Sequence, residues 1–263
     1  SYQRVAADVN SNGRVDVFDL MELRKLVMNP DGQFVNNTSW RFFEKNTGEE
    51  VLELPRMPEE KPVDWIGVKI GDVDQSGELI RSNRHITGEL SLNISDKEMI
   101  AGETYRIPVR SENFAEVTGM QYTLSYLSNA VEVESIQPGA INMTENNYYR
   151  YAPGVITSSW SEADAQNLSS DAVLFTIVLK AKSAVRLRDA LSLNSRVTPV
   201  EAYSGDGLKD VNLRFDGGDD SGFALYQNTP NPFTGQTVIG FNLPEASKAT
   251  LSVYDVTGKM LKI

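Results

Sequence analysis

"GMQYTLSYL", Gly119–Leu127, alternates apolar and polar residues with a period of two, which sets Met120, Tyr122 and Leu124 on one face. Successive side chains of an extended chain point to opposite sides, so this pattern marks a strand buried on one side only. The same texture runs outward in both directions. Upstream lie "ELSLNIS" (Glu89–Ser95) and "TYRIPVRS" (Thr104–Ser111). Downstream follow "AVEVESI" (Ala130–Ile136), "VITSSW" (Val155–Trp160), "ALSLNS" (Ala190–Ser195), "PVEAYS" (Pro199–Ser204) and "VNLRF" (Val211–Phe215). Gly, Asn, Pro and Asp punctuate the intervals. "AVLFTIVLKAK", Ala172–Lys182, is the most apolar run and reads as a central strand. About nine strands with little helical periodicity predict an antiparallel β-sandwich or jelly roll.

The N-terminal region is of another kind. In "ADVNSNGRVDVFDL", Ala7–Leu20, acids and amides crowd around Gly13. Counted from Asp8 as position 1, side-chain oxygens fall at positions 1, 3 and 5 (Asp8, Asn10, Asn12). Glycine stands at 6, the Arg14 carbonyl at 7, Asp16 at 9 and Asp19 at 12. That is the ligand order of an EF-hand calcium loop, in which hard oxygens converge on the ion and the glycine allows a sharp turn. Asp rather than Glu at position 12 has a shorter arm and must draw the following helix closer. The competing reading is a polar turn with Asp16 or Asp19 as a helix cap. "VFDLMELRKLVM" then predicts a helix with Leu20, Leu23 and Val27 on one face, ending at Asn29-Pro30. No comparable amphipathic helix precedes the loop.

"GDVDQSGELIRSN", Gly71–Asn83, begins as a second copy, with Asp72, Asp74 and Ser76 at positions 1, 3 and 5 and the Glu78 carbonyl at 7. It then departs, because Ile80 and Asn83 occupy positions 9 and 12, so a calcium ion there is held by fewer charges. Between the loops, "SWRFFEK" and "DWIGVKI" carry Trp40, Phe42, Trp65 and Ile66, expected to form a miniature core against the loop helix. An aromatic ligand shelf is the alternative.

At the other end, "TVIGFNL" (Thr237–Leu243) and "ATLSVYDV" (Ala249–Val256) read as two strands, with turns at Asn231-Pro232 and Val256–Lys259.

Three resemblances follow from these residues. A calcium loop with an exiting helix resembles a dockerin repeat, and "SWRFFEK" and "DWIGVKIGDV" are similar to phrases of dockerin-like modules in Bacteroidetes surface proteins. The phrases "AGETYRIPVRSEN", "VTGMQYTLSY", "VEVESIQPG", "GVITSSWSEA", "DAVLFTIVLKAK" and "PVEAY" resemble a cohesin domain. "LYQNTPNPF" and "TVIGFNLPEASKATLSVYDVTGK" resemble the start of a type IX secretion C-terminal sorting domain. Together they imply a mainly β chain in three parts. Residues 1–86 are expected to be a dockerin-like calcium module with a long insert, 88–216 a cohesin-like jelly-roll sandwich, and 217–263 a linker with a partial sorting domain. Cohesins bind dockerins through a sheet face. The implied function is calcium-dependent protein docking, within the chain or head-to-tail between chains, on a secreted or surface-exposed protein exported by type IX machinery. The upstream part is expected to be an adhesin or a polysaccharide-degrading protein.

Composition narrows the alternatives. Over 263 residues the net charge is −11, and the pI is near 4.7, which disfavours nucleic acid and anionic membrane as partners. There is no cysteine and one histidine, His85, in a polar linker, so Cys–His catalysis is excluded and a Ser–His triad would need that residue. No apolar run approaches the roughly 18 residues of a membrane span. Glu112, Glu116, Glu132 and Glu134 are numerous enough for a paired-carboxylate hydrolase but are expected on solvated faces. A carbohydrate-binding sandwich with structural calcium remains an alternative, with Trp160 and Tyr148-Tyr149-Arg150-Tyr151 as its stacking candidates. The expectation is a non-enzymatic module.

Overall fold

The computed structural model describes residues 1–51, 64–73 and 86–216, together with short stretches between 224 and 262. The chain divides into two compact units, Ser1–Asp216 and Gly217–Ile263.

The first unit opens with a short helix α1 (Tyr2–Ala7), the loop, and α2 (Val17–Met28). The loop therefore has an entering helix after all, although it is only six residues long. Strands β1 (Trp40–Glu44) and β2 (Trp65–Lys69) pair antiparallel. Their inner face supplies Phe43 and Val68, which with Ala6 of α1 make a small core flanked by Val5 and Ile66. The Tyr2 and Phe43 rings meet at 5.3 Å. The expected miniature core keeps Ile66 but is corrected in its other residues and its partner. Strand alternation turns Phe43 inward and leaves Trp40 and Phe42 exposed on the outer side, leaning over Gly67. Trp65 is half-buried. The helix this core packs on is α1, not α2.

The sandwich comprises β3 (Ile86–Ser95), β4 (Glu98–Met99), β5 (Thr104–Val109), β6 (Val117–Tyr126), β7 (Val131–Pro138), β8 (Tyr148–Ala152), β9 (Val155–Gln166), β10 (Phe175–Ala181), β11 (Val185–Arg186), β12 (Leu191–Asn194), β13 (Glu201–Ser204) and β14 (Gly207–Asp216). One layer runs β3-β14-β13-β6-β9-β8, with β12 also on β6. The other runs β5-β10-β7, so the apolar run around Ile177 is a central strand as the sequence predicts. All pairs are antiparallel except β14 with β3, where the last and first strands run side by side in parallel. Met120, Tyr122 and Leu124 of β6 point into the core with Leu90, Leu92, Ile107, Ile156, Trp160 and Leu179. Glu112, Glu116, Glu132 and Glu134 are exposed.

In the second unit, β15 (Ala224–Leu225) pairs β16 (Phe241–Asn242), and β17 (Val253–Tyr254) pairs β18 (Met260–Lys262). Asp255 N–H donates to the Lys259 carbonyl at 2.9 Å, while residues 256–258 of the expected last turn lie outside the described residues. The Asn231-Pro232 turn lies outside the described residues. Leu225, Phe241, Met260 and Leu261 are exposed.

Candidate functional site

The first loop folds as a ring of backbone N–H groups turned onto two acids. Asp8 Oδ1 accepts from Asn12 N–H at 2.9 Å and Oδ2 from Gly13 N–H at 2.8 Å. Asp19 Oδ1 accepts from Asn10 N–H at 3.0 Å and Oδ2 from Asp16 N–H at 2.8 Å. The Asn10 and Asn12 amide oxygens accept from Asn12 and Arg14 N–H. Gly13, at φ +81°, makes the turn that its place in the pattern requires. The cap reading is realised in the same residues. Asp16 accepts from Phe18 N–H and Asp19 reaches back to Asp16 N–H, a capping box that starts α2. Asn37, which the sequence did not single out, donates to the Asp8 and Val9 carbonyls and anchors the loop from outside.

These oxygens are of the kind that a hard cation takes. Asp8 and Asp19 are only 9% and 3% exposed, yet among the described residues neither forms an ion pair. Buried carboxylates outside an ion pair are costly, even with the Arg41 charge near enough to act on Asp8, and an all-oxygen set suits a hard divalent ion. Among the described residues no three acids or histidines cluster at metal-binding spacing, so an ion here depends on the Asn10 and Asn12 amides and the Arg14 carbonyl as well. Of the second loop's ligand candidates only Asp72 is described; Asp74, Ser76 and Glu78, like His85, lie outside the described residues.

What the loop positions is α2, and α2 lies against β9 and β8 of the sandwich. The outer face of β9 is hydroxyl-rich, carrying Thr157, Ser159 and Ser161. Thr157 Oγ1 donates to the Met28 carbonyl at 2.5 Å, and Thr198 Oγ1 to the Val27 carbonyl at 3.2 Å. These carbonyls end the helix, where no intrahelical N–H remains to meet them. The sandwich therefore caps the C-terminus of α2. Arg24 Nη2 donates to Ser161 Oγ at 2.9 Å, and Tyr151 OH to Asp31 Oδ2 at 2.5 Å. Burial holds the Arg24 guanidinium below its usual range, with the Glu162 carboxylate pulling it back up. A cleft of about 360 Å³ remains beside the seat, between Arg24, Lys25 and Asn29 of the helix end and Glu145, Asn146 and Tyr149.

Seating on the sandwich also revises the helix face. Met21, Arg24 and Met28 turn toward the sandwich, while Leu23 packs against Gly71 in the turn after β2. Leu20, expected in the stripe, is 49% exposed. The stripe read for one partner is divided between two. As a sugar-stacking candidate Trp160 fails, because it is 2% exposed and packs on Phe114 inside the core. Among the candidate tyrosines, Tyr149 is exposed beside the cleft and Tyr151 is engaged with Asp31.

No helix among the described residues is long and apolar enough to cross a membrane. Comparison with known proteins gives one family match, the cohesin domain, over residues 90–205. No curated protein matches the chain. Similar solved structures include a non-cellulosomal cohesin from the hyperthermophilic archaeon Archaeoglobus fulgidus, at 23% identity over 48% of this chain and 86% of that one, with a TM-score of 0.36. The seventh ScaB type I cohesin from Pseudobacteroides cellulosolvens is 16% identical over 49% of this chain and 88% of its own, with a TM-score of 0.37. A type I cohesin–dockerin complex from Clostridium thermocellum matches at 18% identity over 51% of this chain and 94% of that one, with a TM-score of 0.36. By the family match, the part of the chain from residue 90 to residue 205 is a cohesin domain.

Proposed function

We propose that this chain is a non-catalytic docking module in which a calcium-ordered, dockerin-like N-terminal segment is received by a cohesin sandwich. The observation that carries the reading is the seat of α2. The helix that leaves the loop ends on the outer sheet face, with its last carbonyls met by Thr157 and Thr198. In this reading Asp8, Asn10, Asn12, Asp19 and the Arg14 carbonyl hold calcium, with Asp16 acting through water. Asp72, Asp74, Ser76 and Glu78 form a weaker second site. The ion neutralises acids that would otherwise repel one another and so fixes the direction in which α2 leaves the loop. The C-terminal unit serves as a type IX secretion signal, which places the protein outside the cell or on its surface as part of a larger adhesin or polysaccharide-degrading protein.

Calorimetric titration of the whole chain with calcium tests the reading. Wild type should show a tight site and a raised melting temperature, because an ion that binds only the folded loop stabilises it by mass action. Asp8→Ala should lose that site and the thermal gain. Equal heats from wild type and Asp8→Ala would remove calcium from the first loop.

A further inference from the structure

We propose that Asn12 is a self-modifying residue: when the first loop opens, the backbone nitrogen of Gly13 attacks its side chain and leaves aspartate or isoaspartate in its place, and the folded loop holds that reaction off through Asp8 and the Arg14 N–H. What concerns calcium in this rests on the docking reading above; what concerns Asp8 and Arg14 does not.

Asn12-Gly13 is the one Asn-Gly step in the chain. A glycine after asparagine lays its nitrogen open to the side-chain carbonyl, because no Cβ shields it and its backbone turns freely. Both residues are exposed to water, and a Cβ built on Gly13 would meet no atom within 4 Å, so nothing around the pair obstructs attack. In the reaction Gly13 N bonds to Asn12 Cγ and gives its proton to a solvent base. The Cγ–Nδ2 bond breaks, and that nitrogen takes up a proton and leaves as ammonia. Water then opens the cyclic imide. Cleavage at Cγ yields aspartate, and cleavage at the backbone carbonyl yields isoaspartate, whose main chain is longer by one carbon. Water is the sole co-reactant, and nothing is oxidised or reduced.

The restraint is local. Gly13 N–H donates to Asp8 Oδ2 at 2.8 Å, and Arg14 N–H donates to Asn12 Oδ1 at 2.8 Å. The nucleophile is thereby turned to Asp8 and the electrophile to Arg14, while Asn12 N–H is itself fixed on Asp8 Oδ1 at 2.9 Å. Attack requires that these bonds break and Asn12 rotate, so its rate follows the fraction of loops that are open. An ion held by Asp8 and Asn12 lowers that fraction further. The two products act differently. Aspartate adds a carboxylate at position 5, and ligand charge tunes calcium affinity. Isoaspartate lengthens the chain just before the turn at Gly13 and spoils closure of the loop. The modification is thus a one-way record of time spent open.

Peptide mapping by mass spectrometry on the full chain, aged at mildly alkaline pH, follows conversion at Asn12. The same chain unfolded in denaturant gives the unrestrained rate. Folded wild type in calcium should convert roughly tenfold more slowly than the unfolded chain, or slower still, and chelator should move it toward the unfolded rate. Asp8→Ala should convert near the unfolded rate in both conditions, with slow amide exchange at β6 and β10 reporting that the sandwich remains folded. Equal rates in folded and unfolded wild type would overturn the proposal, as would an Asp8→Ala chain that converts as slowly as wild type. If Asp8→Ala is fast and wild type slow, but calcium changes neither and calorimetry detects no binding, the calcium reading falls and the restraint by Asp8 stands.

Discussion

Asp8 and Asp19 are the residues on which the N-terminal segment turns. Each is buried, each has both oxygens engaged by loop N–H groups, and neither forms an ion pair among the described residues, although the charge of Arg41 is near enough to act on Asp8. In the proposed reading a divalent ion is the complement of these two acids. Gly13 allows the loop to close at φ +81°. A Cβ there would meet no other atom, so the penalty of Gly13→Ala is conformational alone. It should lower stability by about 1 kcal/mol and weaken calcium binding, measured by thermal melts with and without the ion. The loop was legible in the sequence because its contacts are local: the partners of Asp8 lie four and five residues away. Asn37 was not legible, since its bonds to the Asp8 and Val9 carbonyls span nearly thirty residues and follow no spacing rule.

At the scale of elements, α2 illustrates how far a sequence pattern reaches. Its start was readable from Asp16 and its end from Asn29-Pro30, but its orientation was not. The apolar positions Leu20, Leu23 and Val27 suggest one buried stripe, whereas the helix is held from two sides and Leu20 faces water. Nor could the sequence show that the hydroxyls of Thr157 and Thr198, from a distant strand and loop, would meet the carbonyls at its end. Thr157→Val keeps the shape of the side chain and removes the donor, leaving the Met28 carbonyl unmet at a covered position. A loss of about 1–2 kcal/mol is expected. It should appear as faster amide exchange in the last turn of α2, with the strands of the sandwich unchanged. Trp40 and Phe42 were misplaced for a related reason. Alternation in "WRFF" was clear, but which parity faces inward depends on α1, which supplies Ala6 and Val5 to the core.

For the whole molecule, the sandwich was the most legible part, because period two is enforced by burial along every long strand. Its short closing pieces, β4 with β11, left no such signal. Beside them Asp96 accepts from Arg186 Nε and Arg188 Nε, both at 2.6 Å, and from Arg188 N–H at 3.1 Å. Burial opposes ionisation of Asp96, but these arginine bonds outweigh it and hold its carboxyl below the usual range. Its stabilising contribution is therefore complete above the ordinary aspartate value of about 3.9 and is lost as pH falls through the lower folded value. Asp96→Asn should cost about 2–3 kcal/mol at neutral pH and flatten this acid limb in melts taken between pH 5 and 2, as estimated for a broken buried pair.

The central claim is that an ion in the first loop fixes α2 on the β9–β8 face. Amide hydrogen exchange on the full chain, in calcium and then in chelator, tests it most directly. The account predicts that chelation strips protection from residues 17–28 and uncovers Thr157, while β6 and β10 keep theirs. Equal protection of α2 in both conditions, in a chain that binds calcium, would contradict it.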